Sequence, residues 1–141
     1  MNEYLDLKAI ITRKKISGWG RRDFVSSKLL NLGSSQEIIN LIKGSQTSSL
    51  IPRGLGRSYG DAAQLKDDFV LNISFSNKIS LSGNQLTVGG GVSISKLLEV
   101  IVPLGYFLPV TPGSAQVTIG GAVAADVHGK NHHKFGSLGN H

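Results

Sequence analysis

Glycine placement constrains this chain more than any other feature. Eighteen of its 141 residues are glycine, and ten of those fall between Gly89 and Gly139. That is about twice the average usage of roughly 7%. Long uninterrupted helices are excluded from the second half, which must be built from turns and close backbone approaches. Within it, Thr118–His133 (TIGGAVAADVHGKNHH) joins a Gly-Gly pair and a small-residue run to a polar cluster holding three of the four histidines. Small residues let a backbone approach something flat or phosphorylated, and the polar cluster then faces whatever is bound.

A second glycine-rich stretch, Pro52–Ala63 (PRGLGRSYGDAA), lies upstream. Gly54, Gly56 and Gly60 allow successive backbone N–H groups to point into one concavity, which cradles an anion with few side chains. Arg53 and Arg57 add permanent charge with a forked donor geometry suited to phosphate oxygens. The stretch lacks the Gly-Lys-Ser/Thr of a Walker A loop and the spacing of a Rossmann fingerprint. An ordinary surface turn is the plain alternative. Two such cradles in one short chain suit a dinucleotide, which needs a place for its pyrophosphate and another for its ring system.

A chain of this length has room for one domain or two very small lobes, and can bury roughly 68% of its unfolded surface. Hydrophobic content of 40% with 17% charged residues describes a globular protein. The order of elements suits an α/β layer. Ser34–Lys43 reads as a short helix, with a capping box of Ser34 and Glu37 and a face of Ile38, Leu41 and Ile42; Gly44 stops it. Ser49–Pro52 and Phe69–Ile73 read as strands. Lys78–Leu81 and Gln85–Val88 form a hairpin about Ser82-Gly83-Asn84, closed by Gly89-Gly90-Gly91. Ser93 caps a helix over Ile94–Val102, which Pro103 and Gly105 end. Tyr106–Val110 reads as another strand, Thr111-Pro112-Gly113 as a turn, and Thr118 as the start of a small-residue helix. Residues 1–33 show no clean period and read as an N-terminal lead-in, with Trp19 as a packing plug between two glycines. A linker is placed near Lys66-Asp67-Asp68.

The formal net charge is +6, and after Asp68 the only acidic residues are Glu99 and Asp126. Arg13, Lys14, Lys15, Arg21 and Arg22 form a separate basic cluster. Such a balance suits an anionic partner, whether dinucleotide, phospholipid surface or nucleic acid, the last being weakest because little aromatic interleaving accompanies the charge. A solvated basic face is the plain alternative. With no cysteine, disulfides and thiolate metal sites are excluded, and a reducing compartment fits. No apolar run approaches the ~18 residues of a membrane span, and Lys8 and Arg13–Lys15 bracket too short a stretch for a signal-peptide core. The expected location is cytoplasmic, at or near the membrane surface.

His128 and His132 have the four-residue spacing of helical zinc ligands. Gly129 lies between them, no glutamate follows His128, and Asp126 is the one nearby carboxylate, so no metal is expected. Ser137, His128 and Asp126 lack the elbow of a nucleophilic triad.

The strings SGWGR, PRGLGRSYGDAAQ and GGGVSISKLLEVIVPLGYFLPVTPGSAQVTIGGAVAADVHGKNHHKFGSLGNH closely resemble the FAD-binding half of vanillyl-alcohol-oxidase-type (PCMH-type) flavoproteins. Within them the match is to the sugar-oxidising branch, lipid-linked ribose 2′-oxidases and aldonolactone oxidases. The resemblance covers nearly the whole chain. It implies an α/β (α+β) fold with a small mixed β-sheet and flanking helices, the first lobe of a two-lobe FAD domain, with residues 34–141 as the N-terminal part of that domain. It implies that Pro52, Arg53, Gly54, Leu55, Gly56, Arg57, Ser58, Tyr59, Gly60, Asp61 and Ala62 wrap the pyrophosphate. Gly113, Thr118, Ile119, Gly120, Gly121, Ala125, Asp126, Val127 and His128 would line the rest of the cofactor, and His128, Gly129 and Lys130 would border the isoalloxazine and substrate. Many relatives tether FAD through a histidine where this chain has Arg57, so non-covalent FAD is expected. The implied function is an FAD-dependent oxidoreductase acting on a sugar hydroxyl, with a small-molecule or lipid-linked sugar as substrate, peripheral membrane association and no nucleic acid. Family members run to several hundred residues, with a substrate cap and a catalytic lysine far downstream. The 141 residues are therefore expected to be a fragment without a catalytic residue; a binding module with no turnover is the alternative.

Overall fold

The computed structural model describes residues 11–44 and 49–141, so the first ten residues of the lead-in lie outside the described residues. The chain divides into two compact units, one ending at Phe75 and the other Ser76–His141.

The first unit is a four-stranded sheet of β1 (Ile11–Ile16), β2 (Val25–Asn31), β3 (Leu50–Arg53) and β4 (Phe69–Asn72), in the order β1-β2-β4-β3. β1 and β2 run antiparallel, while β4 lies parallel to both β2 and β3. Parallel neighbours cannot be joined by a tight turn, and the helix α1 (Ser35–Lys43) supplies the crossover from β2 to β3. Ser34 Oγ accepts from the Glu37 N–H, and Glu37 Oε2 accepts from the Ser34 and Gly33 N–H groups, so the expected capping box forms. Gly44 caps the other end, in a right-handed conformation. Leu41 and Ile38 pack on Leu30, Leu32 and Leu71 of the sheet side. Ile42, expected on that face, is 62% exposed, because a nine-residue helix over so small a sheet buries only a narrow stripe. Ser34→Ala removes one N-terminal acceptor and is expected to lower unfolding stability by about 1 kcal/mol, measurable by urea denaturation. No loss would show that the box is not formed in solution.

Residues 11–31, which lack a sequence period, nevertheless form two full strands. In β1 the burial sequence places Thr12, Arg13, Lys14 and Lys15 in solvent and only Ile16 inside. An edge strand is held by backbone pairing and shielded from further pairing by charge, so the basic run itself is the strand's mark. In β2, Ser27 and Leu30 are fully buried, and Ser27 Oγ donates to Leu65 O at 2.6 Å.

The second unit opens with the hairpin of β5 (Ile79–Ser82) and β6 (Gln85–Val88). Gly83 takes φ 56° at the first of the two loop positions, where a type II′ turn requires it. The helix α2 (Ile94–Ile101) is capped by Ser93 Oγ, which accepts from the Lys96 N–H, and runs on into a 3₁₀ turn at Val102–Leu104 ending at Gly105, φ 84°. Val92, Leu97 and Ile101 form the core with Ile79, Leu86, Val88, Leu98, Leu108 and Ile119 around them. Two short helices follow, α3 (Ile119–Ala124) and α4 (His132–Phe135). Tyr106–Val110 is not a strand: no ladder partner reaches it, and Pro109 has no N–H to offer one. The mixed α/β architecture is as expected, with a two-stranded sheet added to the mixed one. Among the described residues, no helix is long and apolar enough to cross a membrane.

Candidate functional site

The candidate residues fall into two groups, one in each unit. In the first unit, β3 delivers the chain into Pro52–Ala62. Both terminal nitrogens of Arg53 donate to backbone carbonyls, Nη1 to Ala63 O and Nη2 to Ser17 O, each at 2.7 Å. Burial lowers the guanidinium pKa from its ordinary value, since the charged form loses water. Two of the five guanidinium N–H groups thus close the loop on itself and onto the segment after β1. Gly56 (φ 65°) lies against that guanidinium, leaving no room for a Cβ. Gly60 (φ 63°) has open space around it.

The SGWGR segment is the loop's other support. Trp19 N–H donates to Ser58 O at 2.8 Å, and a Cβ on Gly18 would fall on the Gly60 carbonyl and 2.9 Å from Ser58 O. Trp19 is not a packing plug. It is 48% exposed, and the Arg57 guanidinium lies 4.4 Å from its ring centroid, a cation–π pair. A concavity of about 300 Å³ opens here, lined by Trp19, Arg57 and basic residues of β1. Leu55, Ser58, Tyr59, Gly60, Asp61 and Ala62 are all exposed, leaving their loop accessible.

In the second unit, the two glycine clusters meet each other. Gly120 N–H donates to Gly90 O at 2.9 Å and Ile119 N–H to Val92 O at 2.8 Å, while a Cβ on Gly120 would stand 3.0 Å from Gly90 O. Gly120 is thus needed for the chain's own packing. Thr118 is buried, and its Oγ1 accepts from the Gly121 N–H at 3.1 Å. The opposite face of α3, with Gly121, Val123, Ala124 and Ala125, is exposed and nearly free of bulk.

Asp126 then takes a left-handed conformation, φ 44°, and the reversal sends Val127–Lys130 back along the unit, where Leu138 N–H donates to Val127 O. Of these, His128, Gly129 and Lys130 line a concavity of about 740 Å³ together with Phe107, Pro109, Pro112 and Gly113. Asn131 Nδ2 donates to Pro109 O at 2.9 Å, and a Cβ on Gly129 would lie 2.6 Å from Thr111 O, so the two walls are held at a fixed spacing. Phe107 is 66% exposed. The apolar wall went unseen in the sequence because the run around Tyr106–Val110 has the length of a strand; two prolines three residues apart, Pro109 and Pro112, were the available sign. His132 meets His128 edge to face, ring centroids 5.2 Å apart, and lies tilted against His133 at 3.9 Å. Among the described residues, no three His, Cys, Asp or Glu side chains converge as a metal site.

The fit to a flavin can be judged from these features. A concavity of this size is in the range that holds a cofactor-sized ligand. Gly113 has nothing within 4 Å of the place a Cβ would take, and an apolar wall faces cationic and imidazole groups. In the first unit, an exposed glycine loop is already held by its own arginine. The residues fit FAD.

Fold and site together define an FAD-binding domain of mixed α/β type. The profile of the FAD binding domain family matches residues 28–141, and the chain belongs to that family; the match begins inside β2. The chain is 40% identical, over 136 residues, to the decaprenylphosphoryl-β-D-ribose oxidase of Mycolicibacterium smegmatis, covering 92% of this chain and 30% of the relative. Its fold is similar to that of 6-hydroxy-D-nicotine oxidase from Arthrobacter nicotinovorans (TM-score 0.76, 18% identity, 98% of this chain and 30% of that one). It is likewise similar to cholesterol oxidase from Brevibacterium sterolicum (TM-score 0.72, 16% identity, 86% and 25%). The chain therefore spans about 30% of the length of the ribose oxidase it matches.

Proposed function

We propose that this chain is the FAD-binding part of an oxidoreductase that oxidises a sugar hydroxyl to a ketone, working on a lipid-linked sugar at the membrane surface. The observation that carries the reading is the concavity in which Phe107, Pro109 and Pro112 face His128 and Lys130, in a chain 40% identical over most of its length to a ribose oxidase. Bound FAD supplies the hydride acceptor for the carbon that carries the hydroxyl. The remaining tasks fall to the protein. The loop Gly54–Ala62 offers backbone N–H groups to the pyrophosphate, with Arg53 holding its ends. Gly113, Thr118–Gly121 and Ala125–Val127 border the rest of the cofactor. His128 and Lys130 donate hydrogen bonds that orient the substrate or the flavin edge, with Gly129 keeping the backbone close. None of them is assigned the role of base, and for the 141 residues alone we propose cofactor binding without turnover.

With Arg57 beside Trp19 and no histidine in Pro52–Ala62, FAD is held without a covalent bond. The test is a titration of the 141-residue chain with FAD, following emission of Trp19, its one tryptophan. Saturable quenching is expected, with about 2.7 kcal/mol of added stability at a hundred-fold excess over Kd and release of all flavin into the supernatant on acid precipitation. Flavin that stays with the pellet would refute non-covalent binding. A protein that neither quenches nor gains stability does not bind FAD as this chain.

A further inference from the structure

His132 lines the concavity of about 740 Å³, yet no task has fallen to it so far. Its ring is held on several sides. Nδ1 lies 2.9 Å from Gly129 O, the His128 ring meets it edge to face, and the His133 ring lies tilted against it. The turn beneath is equally fixed. The His132 N–H donates to the same Gly129 carbonyl at 3.2 Å, and the neighbouring Asn131 is tied to Pro109 O. One of these contacts decides where the ring carries its hydrogen. A carbonyl oxygen only accepts, so Nδ1 must be the donor, and in the neutral ring Nε2 is then an acceptor. Nε2 is also the nitrogen farther from the backbone, and His132 is exposed, so it is the one a ligand can reach.

Three uses of such a nitrogen can be compared. As a metal ligand it would need companions, and among the described residues no three His, Cys, Asp or Glu side chains converge. Toward an anion it has the wrong polarity, since it offers a lone pair. A hydroxyl hydrogen fits. A sugar hydroxyl both donates and accepts, whereas the Lys130 ammonium, which lines the same concavity, can only donate. No carboxylate lines that concavity, so a hydroxyl's hydrogen must find a neutral acceptor there. A donor and a braced acceptor two positions apart in one turn suit neighbouring hydroxyls of a sugar ring. We propose that His132 recognises the sugar, its Nε2 accepting a hydrogen bond from one ring hydroxyl while Lys130 donates to the next. The assignment rests on the sugar-oxidation reading above and deepens it, adding a fixed acceptor to the donors already named. Its role is recognition, and no proton transfer is assigned to it.

Long-range proton–nitrogen NMR of the 141-residue chain with isotope-labelled histidine reads the tautomer of each ring. His132 is expected to carry its hydrogen on Nδ1. A hydrogen on Nε2 instead overturns this assignment and leaves sugar oxidation standing. The FAD-loaded chain is then titrated with methyl β-D-ribofuranoside and with its monodeoxy analogues, following the flavin spectrum and the His132 Nε2 resonance. The ribofuranoside is expected to shift that resonance, and one deoxy analogue to bind about ten-fold more weakly, the worth of a single hydrogen bond. Two variants separate recognition from bracing. His132→Asn keeps an amide N–H where Nδ1 stood, and His132→Gln puts an amide where Nε2 stood. The asparagine variant is expected to bind the ribofuranoside about ten-fold more weakly and to lose the penalty for that deoxy analogue. The glutamine variant is expected to recover most of the affinity. Rescue by asparagine rather than glutamine would mean that the ring only braces the turn, and overturns recognition. A parent that treats all the deoxy analogues like the ribofuranoside overturns it as well. An FAD-loaded chain that no ribofuranoside perturbs overturns the sugar reading together with this one, and a chain that takes up no FAD overturns the cofactor reading beneath both.

Discussion

Gly18→Ala is expected to lower the thermal unfolding midpoint by about 10 °C and to weaken FAD binding in the same variant. The methyl group would land on the Gly60 carbonyl oxygen and 2.9 Å from that of Ser58. Both are backbone atoms of a loop whose spacing is set by the Trp19 N–H bond to Ser58 O. Neither can swing aside as the end of a lysine would. Inserting a methyl into such a contact costs about 3 kcal/mol, the upper end for overpacking, which for a chain of this size is a shift of that order in midpoint. Differential scanning fluorimetry measures the first effect and Trp19 quenching the second. A variant that melts with the parent would mean that the SGWGR segment does not rest on the loop in solution.

Arg53→Met is expected to cost about 3 kcal/mol of stability and to weaken FAD binding without changing how that binding depends on salt. Two carbonyls, Ser17 O and Ala63 O, lose charged donors at 2.7 Å, and hydrogen bonds to a charged group are worth about 1.5–3 kcal/mol each before the loop relaxes. Arg53→Lys is expected to resemble the methionine variant, because one ammonium cannot span two carbonyls that a planar fork joins. A phosphate ligand would behave differently. Lysine would then rescue much of the affinity, and the salt dependence would flatten by about one ion's worth in the methionine variant. Isothermal titration with FAD at several salt concentrations separates the two. Rescue by lysine would return Arg53 to the pyrophosphate.

These two residues also show where sequence reasoning stops. The forked donor of Arg53 was legible as an anion-type recogniser, but a guanidinium suits a peptide carbonyl and a phosphate oxygen alike, and only the fold decides between them. Gly120 and Gly121 were legible as a close-approach pair; that Gly90 is what approaches Gly120 depends on contacts across some thirty positions of chain, roughly, which no local pattern encodes. The features that were legible are local ones. The Ser34–Glu37 box, the caps at Ser93 and Thr118, and the Gly83-Asn84 turn each close within a few residues. β1 escaped because an edge strand is selected for charge rather than alternation, and β2 because its fully buried residues, Ser27 and Leu30, stand three apart instead of alternating. Tyr106–Val110 misled in the opposite direction, as an apolar run whose partner turned out to be a concavity.

The strand order of the first unit bears on how quickly each unit can form. In the hairpin of the second unit, Ser82 pairs with Gln85 across a two-residue turn, an event on the order of microseconds. The parallel pairing of β2 with β4 instead joins Asn31 to Asn72, 41 positions apart. Closing that loop costs chain entropy before any ladder bond repays it. On a ribosome the consequence is temporal. β1 and β2 emerge as a charged antiparallel pair well before β4, the strand that covers the inner side of β2, has been made. The lysines and arginine of β1 then guard an open sheet edge during synthesis as well as in the finished fold.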